Sequence, residues 1–514
     1  MTEILRLAEQ IADSGLERVF GLTGSGPSLD LVDSLSKLGV DFVRTQFEGS
    51  AAIMAGTTAR LSGRSGVAIT IKGPGLTNLI PGLAFAWFES QPVVAICEAY
   101  AYDAPESKAH KRLDQHQLLG AVTKRTSYLT GDSDIYSRHA RLAEAEVPGP
   151  VAIQLAEGVA KSSESVSHEC ALDAGVVDFV QKSSKPVLIV GSLAVRKRWS
   201  DQLEQLRVPV FTTAAAKGVM DETHPYSAGV FTGVGLELAP ESSLLEQADA
   251  VIGIGLRPAE VLETRKYAAV MVNLDTISCI PGSDAFGFCA TSGEVHLKDV
   301  FAALSSKEWG AETVAEAMSN LRLGMNCNRF LPWHAYELIA QRFSQDCRLV
   351  LDTGNFCTVG EHAWRAKRAD LCLLSGQGRY MGTALSMAIA AALHDATVPT
   401  IVVCGDGGIG PLIGELRLSM ERELPILVIL MTDGRFASVA GRAIRSGLGL
   451  AALTMTEPSW FEIMSGFGLW ARKAADEREF ESALHSWKPD DGPGYIELKF
   501  DPDAYERMVA SLRR

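Results

Sequence analysis

Positive charge is in short supply in this chain. Its 48 Lys and Arg residues are outnumbered by 62 Asp and Glu, which gives a net charge of −14 and a pI near 5.3. That balance argues against a groove for nucleic acid. Long apolar runs are missing too, since no stretch reaches the length of a membrane span. The first residues, MTEILRLAEQIADSG, read as an amphipathic helix with acidic side chains rather than a signal peptide. The nine cysteines are scattered and odd in number, with no CxxC spacing, so buried reduced thiols fit better than a disulfide framework. A clean GxGxxG fingerprint is also absent; Gly253-Ile254-Gly255-Leu256-Arg257 supplies only part of one. The expectation is a soluble cytoplasmic protein without a membrane or nucleic-acid partner.

What is present is ordinary globular composition, 47% hydrophobic and 21% charged. A length of 514 residues suggests about three domains. Short apolar runs at residues 19–22, 40–43, 67–71 and 92–97 alternate with helical patterns and end in Gly-rich turns. That is the pattern of a doubly wound α/β domain. In it Ser28 stands where it could cap a helix over residues 29–37. A polar linker at 162–168 precedes a second α/β pattern, and a polar helical stretch at 305–328 precedes a third. The expected architecture is α/β with three doubly wound parallel-sheet domains, over residues 1–165, 180–310 and 332–514.

The densest chemistry lies in residues 401–438, IVVCGDGGIGPLIGELRLSMERELPILVILMTDGRFAS. A strand over 401–404 ends in Gly405-Asp406-Gly407-Gly408, which reads as a turn too glycine-rich for regular structure. A helix closed by Pro425 follows, and a second strand over 426–431 ends in Thr432-Asp433-Gly434. One βαβ unit places both strand carboxyl ends on the same sheet edge, so Asp406 and Asp433 become neighbours. Two carboxylates beside glycine turns suit a Mg²⁺ ion shared with phosphate oxygens, with backbone N–H groups close to the phosphates. An ordinary crossover with acidic turn residues has the same spacing.

Gly405-Asp406-Gly407 followed, after roughly 25 residues, by Thr432-Asp433-Gly434 resembles the cofactor motif of the thiamine diphosphate-dependent superfamily of acetolactate synthases and pyruvate decarboxylases. The resemblance implies that Asp406, the side chain of Asp433 and the backbone carbonyl of Arg435 ligate Mg²⁺. Asp433 departs from the pattern, which has Asn there; it adds a negative charge that Arg435 could offset. Glu48, followed by Ala51-Ala52, resembles the family's catalytic glutamate, which protonates the cofactor's aminopyrimidine ring. A glutamate favouring a helix N-terminus is the bland reading of the same residue. Lys72-Gly73-Pro74-Gly75-Leu76-Thr77-Asn78 resembles a Ser-Gly-Pro-Gly-Ala-Thr-Asn turn, with Lys72 for Ser and Asn78 retained. The 352–355 segment resembles a diphosphate-contacting Asp-Val-Gly-Gln, with Asn355 for Gln. Residues 375–382, including Gly378, resemble the turn that carries the apolar prop of the bent cofactor, here Met381; core packing is the alternative for a Met. The implied cofactor contacts are thus Glu48, Asn78, Asn355, Gly378, Met381, Gly405, Gly407 and Gly408.

Ser25, Lys72, His110 and His116 are the candidates for substrate contact, His110 and His116 as acid/base groups or simply solvated loop residues. The implied chemistry is cleavage or formation of a carbon–carbon bond in a 2-oxo acid such as pyruvate. The implied assembly is a homodimer or homotetramer with the active site at a subunit interface. FAD is possible, since the central domain holds it in acetolactate synthases, but it has no fingerprint to support it. The rival reading is a degenerate member with a cofactor-binding, regulatory or structural role.

Overall fold

The computed structural model describes residues 3–100, 111, 113–129, 131–156, 175–233, 238–257, 260, 270–276, 288–291, 294–344, 346–455 and 459–512. They form two compact units. The first comprises Met1–Val166, Leu385–Thr397 and Pro411–Leu424, and the second Ser167–Ala384, Val398–Gly410 and Pro425–Arg514. Two helical pieces from the expected third segment therefore cluster with the first.

The sheet of the first unit contains β1 (Arg18–Gly21), β2 (Asp41–Arg44), β3 (Gly66–Thr70), β4 (Val93–Glu98), β5 (Thr126–Tyr128) and β6 (Val151–Leu155). All its pairings are parallel, in the order β2-β1-β3-β4-β6-β5. β3, β4 and β6 are buried at every position, as central strands covered on both faces must be. Their Val and Ile side chains join Leu7, Ile11, Leu31 and Leu35 of the flanking helices in one core.

The second unit holds two further parallel sheets. One contains β7 (Pro186–Val190), β8 (Val210–Thr212), β9 (Ser227–Val230), β10 (Ala250–Ile254), β11 (Val270–Asp275) and β12 (Phe288–Thr291). Its order, β12-β11-β10-β7-β8-β9, is the doubly wound arrangement in which the winding reverses between β7 and β10. The other contains β13 (Arg348–Leu351), β14 (Cys372–Leu374), β15 (Thr400–Cys404), β16 (Ile426–Thr432), β17 (Trp470–Ala474) and β18 (Gly494–Lys499). Its order, β14-β13-β15-β16-β18-β17, repeats that of the first unit strand for strand. β15 and β16 pair in register from Thr400–Ile426 to Cys404–Leu430, so their carboxyl ends share an edge.

Two local expectations are corrected. Residues 405–408 are not an irregular turn, because a helix, Asp406–Leu412, starts at once, with Gly408 N and Ile409 N donating to Gly405 O at 3.1 Å. Ser28 does not cap its helix, which begins at Pro27 with Gly26 as N-cap. The six described cysteines are free thiols, five of them buried. Among the described residues no helix is long and apolar enough to cross a membrane.

Candidate functional site

Each unit carries one group of the expected residues at a strand carboxyl edge. In the first unit Glu48 opens the helix Glu48–Ser62 and is 8% exposed. A Cβ on Gly82 would run into the carbonyl of Gly49, so this helix and Pro74–Phe88 pack backbone against backbone. That approach brings Asn78 opposite Glu48, and Asn78 Nδ2 donates to Glu48 Oε2 at 3.1 Å. Gly75 leaves room beside the other oxygen, since a Cβ there would sit 3.4 Å from Oε1.

Lys72 lies nearby in sequence but is committed elsewhere. Its ammonium donates to Glu98 Oε2 at 3.1 Å and sits 5.1 Å from the centroid of the Tyr100 ring. Glu98 closes β4, is 2% exposed, and also accepts from Ser28 N at 3.1 Å and Ser28 Oγ at 2.6 Å. Burial would raise the Glu98 carboxyl, but the bonds from Ser28 and Lys72 outweigh it and hold the group below its usual range. Gln115 completes the patch, donating to Glu98 O at 2.9 Å and accepting from Gly73 N at 2.9 Å. Ser25 is exposed in the loop before Ser28, and His116 is exposed on the short helix Gln115–Gly120. His110 lies outside the described residues.

In the second unit Asp406 and Asp433 follow β15 and β16 as expected. Asp406 Oδ2 accepts from Thr432 Oγ1 at 2.5 Å and Gly434 N at 3.2 Å, and its Oδ1 accepts from Gly407 N at 3.0 Å. Asp433 Oδ1 accepts from Arg435 N at 3.2 Å. Burial, reinforced by the charge of Asp406, pushes the Asp433 carboxyl up to about 7. The guanidinium of Arg435 is drawn off by Asp503, at 3.2 Å, so it offsets the Asp433 charge only in part. Two carboxylates that resist joint ionisation are a surplus of negative charge, which fits a divalent cation with oxygen ligands. No group of three or more His, Cys, Asp or Glu residues suited to a metal occurs among the described residues. A cation here would complete its shell with backbone carbonyl, phosphate or water oxygens.

Gly407 and Gly408, beside Asp406, serve close approach rather than unusual torsion, whereas Gly434, beside Asp433, takes a left-handed φ of 71°. A Cβ on Gly407 would come within 2.8 Å of Phe436 and 3.4 Å of Met381 Sδ, and one on Gly408 would run into Asp352 Oδ2. Asp352 closes β13, is 1% exposed, and receives Gly382 N at 2.8 Å and Thr383 N at 3.2 Å. Burial raises its carboxyl to about 6 against the pull of those amides. It thereby ties the Met381 turn to the Gly408 turn. Met381 itself is exposed, Gly378 is half-buried in the preceding bend, and Asn355 is the buried first residue of the helix Asn355–Ala363.

Glu98 was not among the sequence-derived candidates, and Asp352 entered only as the first residue of the 352–355 segment. The signal was available: Glu98 ends the otherwise apolar β4, and Asp352 follows the apolar run 349–351.

Among the described residues, the turn after β7 in the middle sheet leaves no place for a dinucleotide phosphate. At the reversal between β7 and β10 that place is the turn after β7, where Gly191 precedes Ser192. There the buried carboxylate of Glu260 already accepts from Ser192 N at 3.0 Å, from Ser192 Oγ, and from Thr213 Oγ1 at 2.9 Å. A Cβ on Gly191 would lie 2.7 Å from Glu260 Oε2, so no anion fits beside it. FAD does not fit these residues.

The family models "Thiamine pyrophosphate enzyme, N-terminal TPP binding domain", "central domain" and "C-terminal TPP binding domain" match residues 5–118, 174–280 and 352–498. The chain is 26% identical to a catabolic acetolactate synthase of Raoultella terrigena, across 96% of this chain and 94% of that one. It is 25% identical to a probable 2-ketoarginine decarboxylase, AruI, of Pseudomonas aeruginosa, across 96% and 93%. It is 24% identical to a probable acetolactate synthase large subunit of Methanocaldococcus jannaschii, across 96% and 91%.

Proposed function

Because the chain belongs to the superfamily of thiamine diphosphate-dependent enzymes, we propose that it is a Mg²⁺-dependent decarboxylase or carboligase acting on a 2-oxo acid such as pyruvate. The observation that carries this reading is the Asp406–Asp433 pair, an excess of half-buried negative charge at the ends of β15 and β16. Asp406, Asp433 and the Arg435 carbonyl hold the metal. Gly405, Gly407 and Gly408, at the start of the helix Asp406–Leu412, admit the diphosphate, with Asn355 and Gly378 beside it and Met381 as the apolar support. Thiamine diphosphate, when bound, supplies an electron sink for breaking or making a bond next to a carbonyl.

Glu48 exchanges a proton with the aminopyrimidine ring, and Asn78 holds its Oε2 so that Oε1 faces the space left by Gly75. Ser25, His110 and His116 stand as the substrate-side residues. The Glu98 carboxylate takes up the charge of Lys72, which makes Lys72 a wall of the pocket rather than an anion receptor. Residues 1–165 would grip the pyrimidine, 332–514 the diphosphate, and 180–310 would serve as a cofactor-free spacer. Met381, Phe436, Val439, Ile444 and Leu448 are exposed, which supports an assembly of two or four copies covering that apolar surface. A cytoplasmic location goes with this reading.

The test is calorimetric titration of metal-stripped protein with thiamine diphosphate, with and without Mg²⁺, followed by an assay of carbon dioxide release from pyruvate. Mg²⁺-dependent binding with turnover is the expected result. Binding without turnover on a panel of 2-oxo acids would favour a regulatory role, and no binding would refute the reading.

A further inference from the structure

The helix that carries Glu48 begins without a cap of its own. Phe47, at the N-cap position, offers no side-chain acceptor, and the amides of Gln46 and Phe47 stand just before the first helical residue, Glu48. Exposed to water, such amides would leave the first turn free to fray. Here they meet a carboxylate from far along the chain. Glu415, in the one-turn helix Ile413–Glu415, is 1% exposed, and its Oε1 accepts from Gln46 N at 2.9 Å and Phe47 N at 3.0 Å. Its Oε2 accepts from Gln46 N at 3.1 Å. Burial raises the Glu415 carboxyl and those amides oppose the rise.

The contact belongs to a longer seam. Arg422 pairs with Asp41 at 3.0 Å, at the start of β2, and Glu421 with Arg44 at 3.6 Å, at its end. A Cβ on Gly414 would lie 3.7 Å from the Gln46 side chain. Residues 414–422 therefore run beside β2 and the bend into the Glu48 helix. The two ion pairs are exposed and weak, whereas the Glu415 bonds are buried and charge-assisted, so they fix the bend.

We propose that Glu415 is a positioning residue for Glu48, holding the 46–47 bend so that the Glu48 carboxylate stays aimed at its proton-exchange partner. The assignment of that partner rests on the functional reading above; the anchoring does not. Three full-length proteins test it: wild type, Glu415→Leu and Glu415→Gln. Glu415→Gln keeps an oxygen able to take both amides. Should Glu415→Leu fail to fold, Glu415→Asp, too short to reach both amides, replaces it.

The first measurement is amide hydrogen exchange over residues 44–52 in cofactor-free protein. Glu415→Leu is expected to speed exchange there at least about 10-fold while leaving residues 93–98 unchanged, and Glu415→Gln to stay within about 3-fold of wild type. The second is deuterium uptake at C2 of bound thiamine diphosphate, read by NMR after acid quench. Glu415→Leu is expected to slow it about 10-fold or more with cofactor Kd changed less than about 3-fold, and Glu415→Gln to restore most of the rate. Unchanged exchange at 44–52 overturns the anchoring, and a loosened bend with undiminished C2 exchange overturns the positioning role. If Glu48→Gln also left C2 exchange intact, the functional reading of Glu48 would fall instead, with the anchoring decided by amide exchange alone.

Discussion

Asp433 stands where the cofactor motif that the sequence resembles has asparagine, and replacing it tests whether the pair with Asp406 is a charged site suited to a cation. The Asp433 carboxyl ionises at 3.8 in an unperturbed setting and at about 7 in the folded protein. The folded state thus holds the proton more tightly. The favourable contribution is complete below pH 3.8 and is lost progressively as pH rises through 7. At about 1.36 kcal/mol per pH unit the gap is worth about 4 kcal/mol. Water reaches this half-buried group, so roughly half of that is a fair expectation, about 2 kcal/mol. Asp433→Asn keeps the acceptor for Arg435 N and removes the charge. In metal-free buffer at pH 8 it is expected to raise Tm by about 3 °C, using about 1.5 °C per kcal/mol for a unit larger than about 300 residues. At pH 5 the gain is expected to shrink by more than half, because the wild-type carboxyl is then already protonated in the fold. Differential scanning calorimetry at the two pH values, in chelating buffer, is the assay. A neutral or lower Tm at pH 8, or a gain that does not shrink at pH 5, would refute the reasoning.

Three further outcomes follow from the same geometry. Glu48→Gln is expected to lower turnover about 10²–10⁴-fold while cofactor affinity stays within about 5-fold, measured by single-turnover kinetics beside calorimetry. Titration with FAD to ~100 μM is expected to leave flavin fluorescence unquenched and Tm unmoved; a yellow protein with one flavin per chain would contradict the occupation of the Ser192 turn by Glu260. Lys72→Met strands the Glu98 carboxylate and is expected to cost about 2 kcal/mol in urea unfolding, and the double variant with Glu98→Gln to recover most of it. Equal losses in the single and double variants would count against the pair.

How much of this was legible depends on how local each cause is. The βαβ unit around Asp406 and Asp433 was readable because two apolar runs and a helical period lie within one short segment; β15 and β16 differ from the expected strands by a residue at one end. The four glycine-containing residues after β15 misled, because composition alone cannot tell glycine chosen for a turn from glycine chosen for proximity. At Gly407 and Gly408 the reason is the neighbouring Phe436 ring and Asp352 carboxylate, which belong to other elements. Glu98 with Ser28 and Glu415 with Gln46 were beyond reach for the same reason. Their partners are 70 and 369 residues away along the chain, and nothing in either local pattern announces the other. The lone-looking lysine at 72 is the counterpart: read locally it offers a charge to substrate, and in the fold that charge belongs to Glu98.

The first unit and the β13–β18 sheet share one strand order, and in both the residues of interest gather at the strand carboxyl ends. The opposite rim of each sheet is therefore free for engineering. The turn at Gly39, before β2, is one such place: a Cβ there would meet nothing within 4 Å. The Asp395–Thr397 turn before β15, in which Asp395 Oδ1 accepts from Thr397 N at 3.0 Å and Thr397 Oγ1 at 2.6 Å, is another. Affinity tags, fluorophores or inserted peptides grafted at these two loops leave every candidate ligand in place, so the rims before β2 and before β15 can be labelled without touching the chemistry.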